Sequence, residues 1–246
     1  MFADLFHTVF YNPLYNALVA LVDTVPFADV GIAVIILTVA VKFVLFPLSM
    51  KAVRTQLSMK RIEPEVARIR ERYPNREEQA RKTMELYRRE GVNPLSSFLV
   101  ILIQLPIIFA LYFVFFRGGL PAIDSTLLYS FIPVPTEVNM HFLGLIDVAG
   151  RSVLLALFAG VTQFFQAKLA VPPPAPTNGT PTLRDDLAKS FHLQIRYVLP
   201  VVVTVIAYTI SAAVALYWTT SNLFAIGQEL YVRRHIKPRA EGAPVV

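Results

Sequence analysis

Residues 30–48 read VGIAVIILTVAVKFVLFPL, an apolar run with a single lysine, Lys42, set inside it. Its 19 residues have the length and composition of a helix crossing a ~30 Å hydrocarbon core. A lysine at the centre of such a helix costs roughly 2.5–3.5 kcal/mol on insertion scales, and residues of this kind usually face a bundle interior or a wet cavity. At a 1.5 Å rise, Gly31 to Lys42 is about 16 Å, past the middle of the core, so snorkelling along the four-carbon stem to the headgroups is also open to it. On position alone the cavity and the snorkel stand level.

The whole chain supports a membrane setting. Of its 246 residues 55% are hydrophobic, above the roughly 45–50% of soluble domains. Further apolar runs occupy 94–116, 152–170 and 197–232. In lipid every backbone polar group needs an internal partner, so these runs predict an all-α membrane protein. The last run would be about 54 Å long as one helix, too long for one crossing and short for two. Charge decides between them. Of the 23 Lys and Arg residues, twelve lie in 49–93, four in 168–196 and four beyond residue 232. The positive-inside rule places all three segments in the cytoplasm and the stretch from Arg117 to Arg151 outside. An even number of crossings must then separate Arg196 from Arg233, so the run is a tight hairpin turning near Ser211, Ala212 and Ala213. The expectation is a five-span helical bundle with spans at about 30–48, 94–116, 152–170, 197–211 and 213–232, the N-terminus outside and the C-terminus cytoplasmic.

Between the first two spans, residues 49–93 form a charged cytoplasmic helical hairpin. Val53, Leu57, Ile62, Val66, Ile69 and Tyr73 mark a seam along its first arm, and Ala80, Met84 and Tyr87 a shorter one along the second. Pro64 is expected to break or kink the first arm, and Tyr73-Pro74-Asn75 to make the turn. Arg61, Arg68, Arg72, Arg76 and Arg81 are candidate contacts for acidic or RNA-rich partners or anionic headgroups. The plainer reading, a solvated hairpin whose seven glutamates balance its cations, is favoured on sequence alone. Residues 1–28 lack a secretory signal pattern and predict an amphipathic helix, lying in the membrane interface or stapled against the bundle. Residues 171–196 open as a stiff Pro-rich cytoplasmic loop, and 236–246 are a basic tail. There is no cysteine, the four histidines are scattered, and no phosphate loop or nucleophile-base pair is present. No metal, cofactor, enzymatic activity or DNA binding is expected.

Three blocks carry a family resemblance: ILTVAVKFVLFPL at 36–48; Glu85-Leu86-Tyr87 through Val92-Asn93-Pro94 to LIQLPIIFALY at 102–112; and ALYWTTSNLFAIGQ at 215–228. Together they resemble the YidC/Oxa/Alb family of membrane protein insertases over roughly residues 29–235. The resemblance implies a five-span insertase core, working without nucleotide hydrolysis, that offers nascent membrane proteins a polar groove open to the cytoplasm and sideways to lipid. It places Lys42 where family members usually carry a groove arginine, and Gln104, Gln163 and Trp218 on further groove positions. Without it, the two glutamines read equally as interhelical hydrogen-bonding glue and the tryptophan as an interfacial residue. The ribosome, a Sec-type translocon and the lipid bilayer are the implied partners, and the bacterial plasma membrane the implied location. The chain departs from the pattern in three places. Lysine replaces arginine at 42, which keeps the charge but loses the bidentate fork. Ser211-Ala212-Ala213 stands where a Pro-Ala-Gly turn is common, and Ser96-Ser97 with Val100 replaces a Gly pair and a proline. Two rival functions remain at this stage: a small-solute transporter or channel using Lys42, and an assembly chaperone that does not insert.

Overall fold

The computed structural model describes residues 2–91, 105–110, 112–114, 120–170 and 183–235. Helix α1 (Phe2–Phe6) continues through a π turn at His7–Tyr11 into α2 (Asn12–Thr24). Then come α3 (Val30–Val44), α4 (Phe46–Arg72) and α5 (Arg76–Arg89). The second expected span is described only as α6, helical at 105–110 and 112–114. A short antiparallel hairpin pairs β1 (His141–Phe142) with β2 (Ile146–Asp147). It is followed by α7 (Val153–Ala170) and by α8 (Leu183–Leu193), which runs through a second π turn into α9 (Leu199–Ile210), and finally by α10 (Ala212–His235). By length and composition Asp4–Thr24, Val153–Ala170 and Lys189–Ile210 suffice to cross a membrane, and α3 with α4 makes a fourth if the bent pair is one span. Helix α10 is long enough but less apolar, because Ser221, Asn222, Gln228 and Glu229 lie on its buried side.

The 36-residue run from 197 to 232 is divided where the charge argument requires. Ser211 is extended (φ −168°, ψ 162°), ending α9 and starting α10. The first N–H groups of α10 find partners outside the helix: Ala212 donates to the Gly150 carbonyl at 2.8 Å and Ala213 to that of Val148 at 2.9 Å. Helix α7 lies against both arms. Its Gly160 faces Thr204 and Pro200 of α9, while its Ala159 and Thr162 accept from Asn222 of α10. Positions near 202 and near 222 thus sit at one level, so α9 and α10 are antiparallel.

The first span differs from its expected form. Helix α3 stops at Val44, and α4 leaves at 65° with Pro47 in its first turn. Pro47 can donate no backbone bond across the junction. Pro64, expected to break the first arm, lies inside a continuous α4 on an exposed position. The arms of the helical hairpin close on Ile62, Val66 and Leu86, with Met59, Ile69 and Tyr87 packed around them. Ala80 and Met84, read as the second arm's seam, are exposed; the helical face that meets α4 is set by Leu86 instead.

At the opposite end of the bundle, residues 25–29 and 120–150 form a compact cover. The β-hairpin bridges two helix starts. Its base holds α10 through Val148, and its tip holds α3 through Asp29. Asp29 is 3% exposed; one oxygen accepts from Ile32 N at 3.1 Å as the α3 N-cap, the other from Leu143 N at 2.7 Å. Loss of an N-cap carboxylate costs about 1 kcal/mol, and here a second bond is lost with it. Asp29→Ala is therefore expected to lower thermal stability in detergent and to speed proteolysis within 120–150; an unchanged cleavage rate would count against the clasp.

Candidate functional site

The buried positions of three helices change character at a common depth. Starting from the covered end, α3 buries Val30, Ala33, Val34 and Leu37, then Thr38; α7 buries Leu155, Ala156 and Ala159, then Thr162 and Gln163. Helix α10 buries Ala212 to Tyr217, then Ser221, Asn222, Gln228 and Glu229. The first half of the bundle is an apolar core, and the second adds amides, hydroxyls and a carboxylate among apolar residues such as Ala167 and Val232.

In that second half a cavity of about 350 Å³ opens between α3, α4, α7 and α10, with Ile195 and Leu199 at its edge. Lys42 and Gln163 both line it, so the structure brings together two residues 121 positions apart in sequence. Ser49, Gln56, Gln166, Gln228 and Glu229 complete its polar lining, and apolar residues, among them Leu45, Val53, Phe224 and Ile226, make up the larger part of the wall. Lys42 occupies the last turn of α3, where the partial negative charge of the helix C-terminus favours an ammonium. The bend at Leu45 leaves Lys42 near a helix end and beside a cavity at once.

The remaining polar groups are tied to one another. Gln228 donates to the Ser49 hydroxyl at 2.9 Å, joining α10 to α4, and Gln163 donates to Gln166 at 3.4 Å. Glu229 pairs with Arg233 at 2.9 Å, and Arg233 also donates to the Leu169 carbonyl at 2.6 Å, closing the end of α7 onto α10. Removing one partner of a fully buried pair costs about 3–5 kcal/mol; the Arg233 side chain is 34% exposed, so Arg233→Gln is expected to cost about 1–2 kcal/mol. Thermal unfolding of the purified variant reads this directly, and Glu229→Gln on the same background should recover part of the loss.

Trp218 does not line the cavity. It is half-buried against the apolar core, on the covered side of the change in polarity. Gln104 lies outside the described residues, as do Pro94, Ser96, Ser97, Val100, residues 171–182 of the Pro-rich loop and the basic tail. Gln228 and Glu229 were missed in the sequence because they close a run already read as a span; their seven-residue spacing, two helical turns, from Ser221 and Asn222 was the available signal.

On the helical hairpin, Arg61 pairs with Glu90 at 3.0 Å and Arg89 with Glu65 at 2.8 Å, while Arg81 lies 3.8 Å from Glu78 and 3.9 Å from Glu85. The 2.9 Å hydrogen bond between Lys82 and Glu85 pushes the lysine up and the carboxyl down from their ordinary pKa values, keeping both charged. Among the described residues Arg68, Arg72 and Arg76 make no ion pair, and Arg68 and Arg72 line an open cleft of about 450 Å³ with Arg89 and Lys82.

A mostly helical chain with three or four candidate spans, and a cavity between its helices that carries both polar and apolar side chains, defines a class, the all-α membrane proteins. The sequence profile described as "60Kd inner membrane protein" matches residues 21–240, and the chain belongs to this family, the YidC/Oxa group of the bacterial inner membrane. It is 34% identical to the membrane protein insertase YidC of Fusobacterium nucleatum over 227 residues, covering 91% of this chain and 97% of that one. It is 28% identical to the YidC of Oceanobacillus iheyensis over 236 residues, covering 94% and 84%. Against the YidC of Syntrophobacter fumaroxidans the identity is 32% over 83% of this chain but 34% of that longer protein.

Proposed function

We propose that this protein inserts nascent membrane proteins into the lipid bilayer, taking a client's polar flank into the cavity beside Lys42 while its apolar segment leaves sideways into lipid. The observation that carries the reading is the shared level at which α3, α7 and α10 turn from apolar to polar inside the bundle. A polar half-channel lowers the cost of moving hydrophilic chain partway across, and burial of about 20 apolar residues in hydrocarbon stabilises the product. The step needs no nucleotide. The curated relatives carry the insertase name, which favours this over the solute-carrier and chaperone readings.

In the proposed arrangement five spans cross the membrane, α6 belonging to the second and α9 and α10 forming the last two, with the helical hairpin in the cytoplasm as its twelve cations require. Helices α1 and α2 lie along the outer interface. Three contacts support this: Phe6 packs on Phe113 at 5.9 Å, the Tyr15 hydroxyl accepts from Asp124 N at 2.8 Å, and Asn16 bonds Leu127 and Tyr129 of the covering segment at 2.9 and 2.7 Å. Arg68, Arg72 and Arg76 offer unpaired charge to clients or to ribosomal RNA, and a Sec-type channel is a further partner.

Purified protein in liposomes tests the proposal. A small single-span client with a short acidic tail should become protease-protected on the lumenal side without nucleotide or other protein. Solute flux without insertion would establish a transporter, and client binding without protection a chaperone; either overturns the reading.

A further inference from the structure

The three most exposed large apolar side chains among the described residues are Phe27 (86%), Leu145 (83%) and Phe131 (78%), and all belong to the two segments that cover the end of the bundle opposite the helical hairpin. Leu143, 63% exposed, joins them, its N–H held 2.7 Å from Asp29, two residues from Phe27. Phe27 and Leu143 also sit at positive φ, 61° and 52°, a conformation that bulky residues rarely adopt. In a water-facing loop, glycine or asparagine would occupy such positions and the side chains would be polar. Here the backbone is held in the costly conformation with large apolar groups upon it. No Asp, Glu, Lys or Arg occurs between Val138 and Ile146 to mark this tip as solvated.

The length of α3 says what surrounds these side chains. Its 15 residues rise about 22 Å, less than the ~30 Å hydrocarbon core. Beyond Leu45 the chain turns away at 65°, so little further depth is gained. Both ends of α3 cannot reach the two headgroup layers. Any part of that shortfall that falls on the Asp29 end sets Phe27 and Leu143, beside the cap, below the headgroups. The outward side chains of α3 itself are apolar and uncovered, with Ile36 42% and Phe43 62% exposed.

We infer that Phe27, Leu143 and Leu145, with Phe131 in the same cover, form a lipid-inserted pad that anchors the protein in the acyl region of the leaflet opposite the helical hairpin. The partner is the bilayer itself, and the inference rests on membrane residence rather than on the insertion activity, so each can fail without the other. The pad makes the cover a monotopic element, its β-hairpin base polar at His141 and Asp147 and its tip in hydrocarbon.

The chain contains no cysteine, so single spin labels can be placed without background. Phe27→Cys, Phe131→Cys and Leu145→Cys are each labelled and reconstituted into phosphatidylglycerol–phosphatidylethanolamine vesicles, with Glu137→Cys as the aqueous reference. Collisions with oxygen and with a polar nickel chelate are then compared. The expected result is a reversal: oxygen dominates at 27, 131 and 145, and nickel at 137. Nickel-dominated relaxation at all four would overturn the pad. Low collision with both reagents would mean that a second copy of the chain covers it, which overturns it equally. A variant that fails to fold at one position leaves two others readable.

Discussion

In proteoliposomes, Lys42→Glu is expected to cut insertion of a client with an acidic translocated tail by at least about tenfold, while Lys42→Arg retains it. A client carboxylate about 6 Å from the ammonium is stabilised by about 2.8 kcal/mol at an effective dielectric of about 20. Reversal turns that attraction into repulsion, and about 1.4 kcal/mol in a barrier is already tenfold in rate. Water in the cavity screens part of this, which is why the bound is one decade rather than several. Among the described residues, the only other charged group lining the cavity, Glu229, is held by Arg233. Lys42→Leu should fall between the two charged variants. A client with a basic tail provides the decisive comparison, because Lys42→Glu should leave its insertion unharmed or raise it. Equal losses for acidic and basic tails would mean that Lys42 matters only for the shape of the bundle.

Gly160→Leu is expected to abolish stable protein altogether. A Cβ at 160 would overlap the Thr204 hydroxyl and stand 3.1 Å from the Pro200 carbonyl oxygen and 3.3 Å from the Thr204 Cβ. The carbonyl is helix backbone and cannot swing aside, so α9 would have to move off α7. Overpacking by single methylenes costs about 1–3 kcal/mol, the range expected for Gly160→Ala, and leucine adds three carbons more. Thr204→Ala removes the hydroxyl and should return part of the stability lost by Gly160→Ala. Melting in detergent micelles reads all three variants. A Gly160→Leu protein that melts with the parent would show that α7 and α9 are not packed at this level.

How much of this was legible in the chain differs by feature. The lysine inside an apolar run and the division of the last run near Ser211 both followed from charge and length, which survive any detail of packing. Gln163 could be placed beside Lys42 only through family resemblance, since no periodicity links α7 to α3. The bend at Leu45 was hidden because Phe46-Pro47-Leu48 is as apolar as the helix before it, although Pro47 was the available warning. Gln228 and Ser49 escaped notice for a further reason: their bond joins residues 179 positions apart, and neither alone points to the other. The seam of the second hairpin arm was misjudged because Leu86 and Met84 are both apolar, and only contact with α4 selects between them. In the sequence Asn16 is one polar residue of an amphipathic helix; its 1% exposure and its two hydrogen bonds to the covering segment depend on chain more than a hundred positions away.

The dry half of the bundle, from Val30 to Leu37 on α3 and Ala212 to Tyr217 on α10, has an electrical consequence. In the proposed insertase a cavity filled with water would conduct, so the voltage across the membrane would drop mainly over the apolar layer beyond it. An elementary charge crossing 100 mV changes energy by about 2.3 kcal/mol, and here that change is compressed into a fraction of the usual distance. With a negative interior, a client carboxylate brought to the chamber floor meets a steepened pull outward, and the ion gradient stays sealed while it waits.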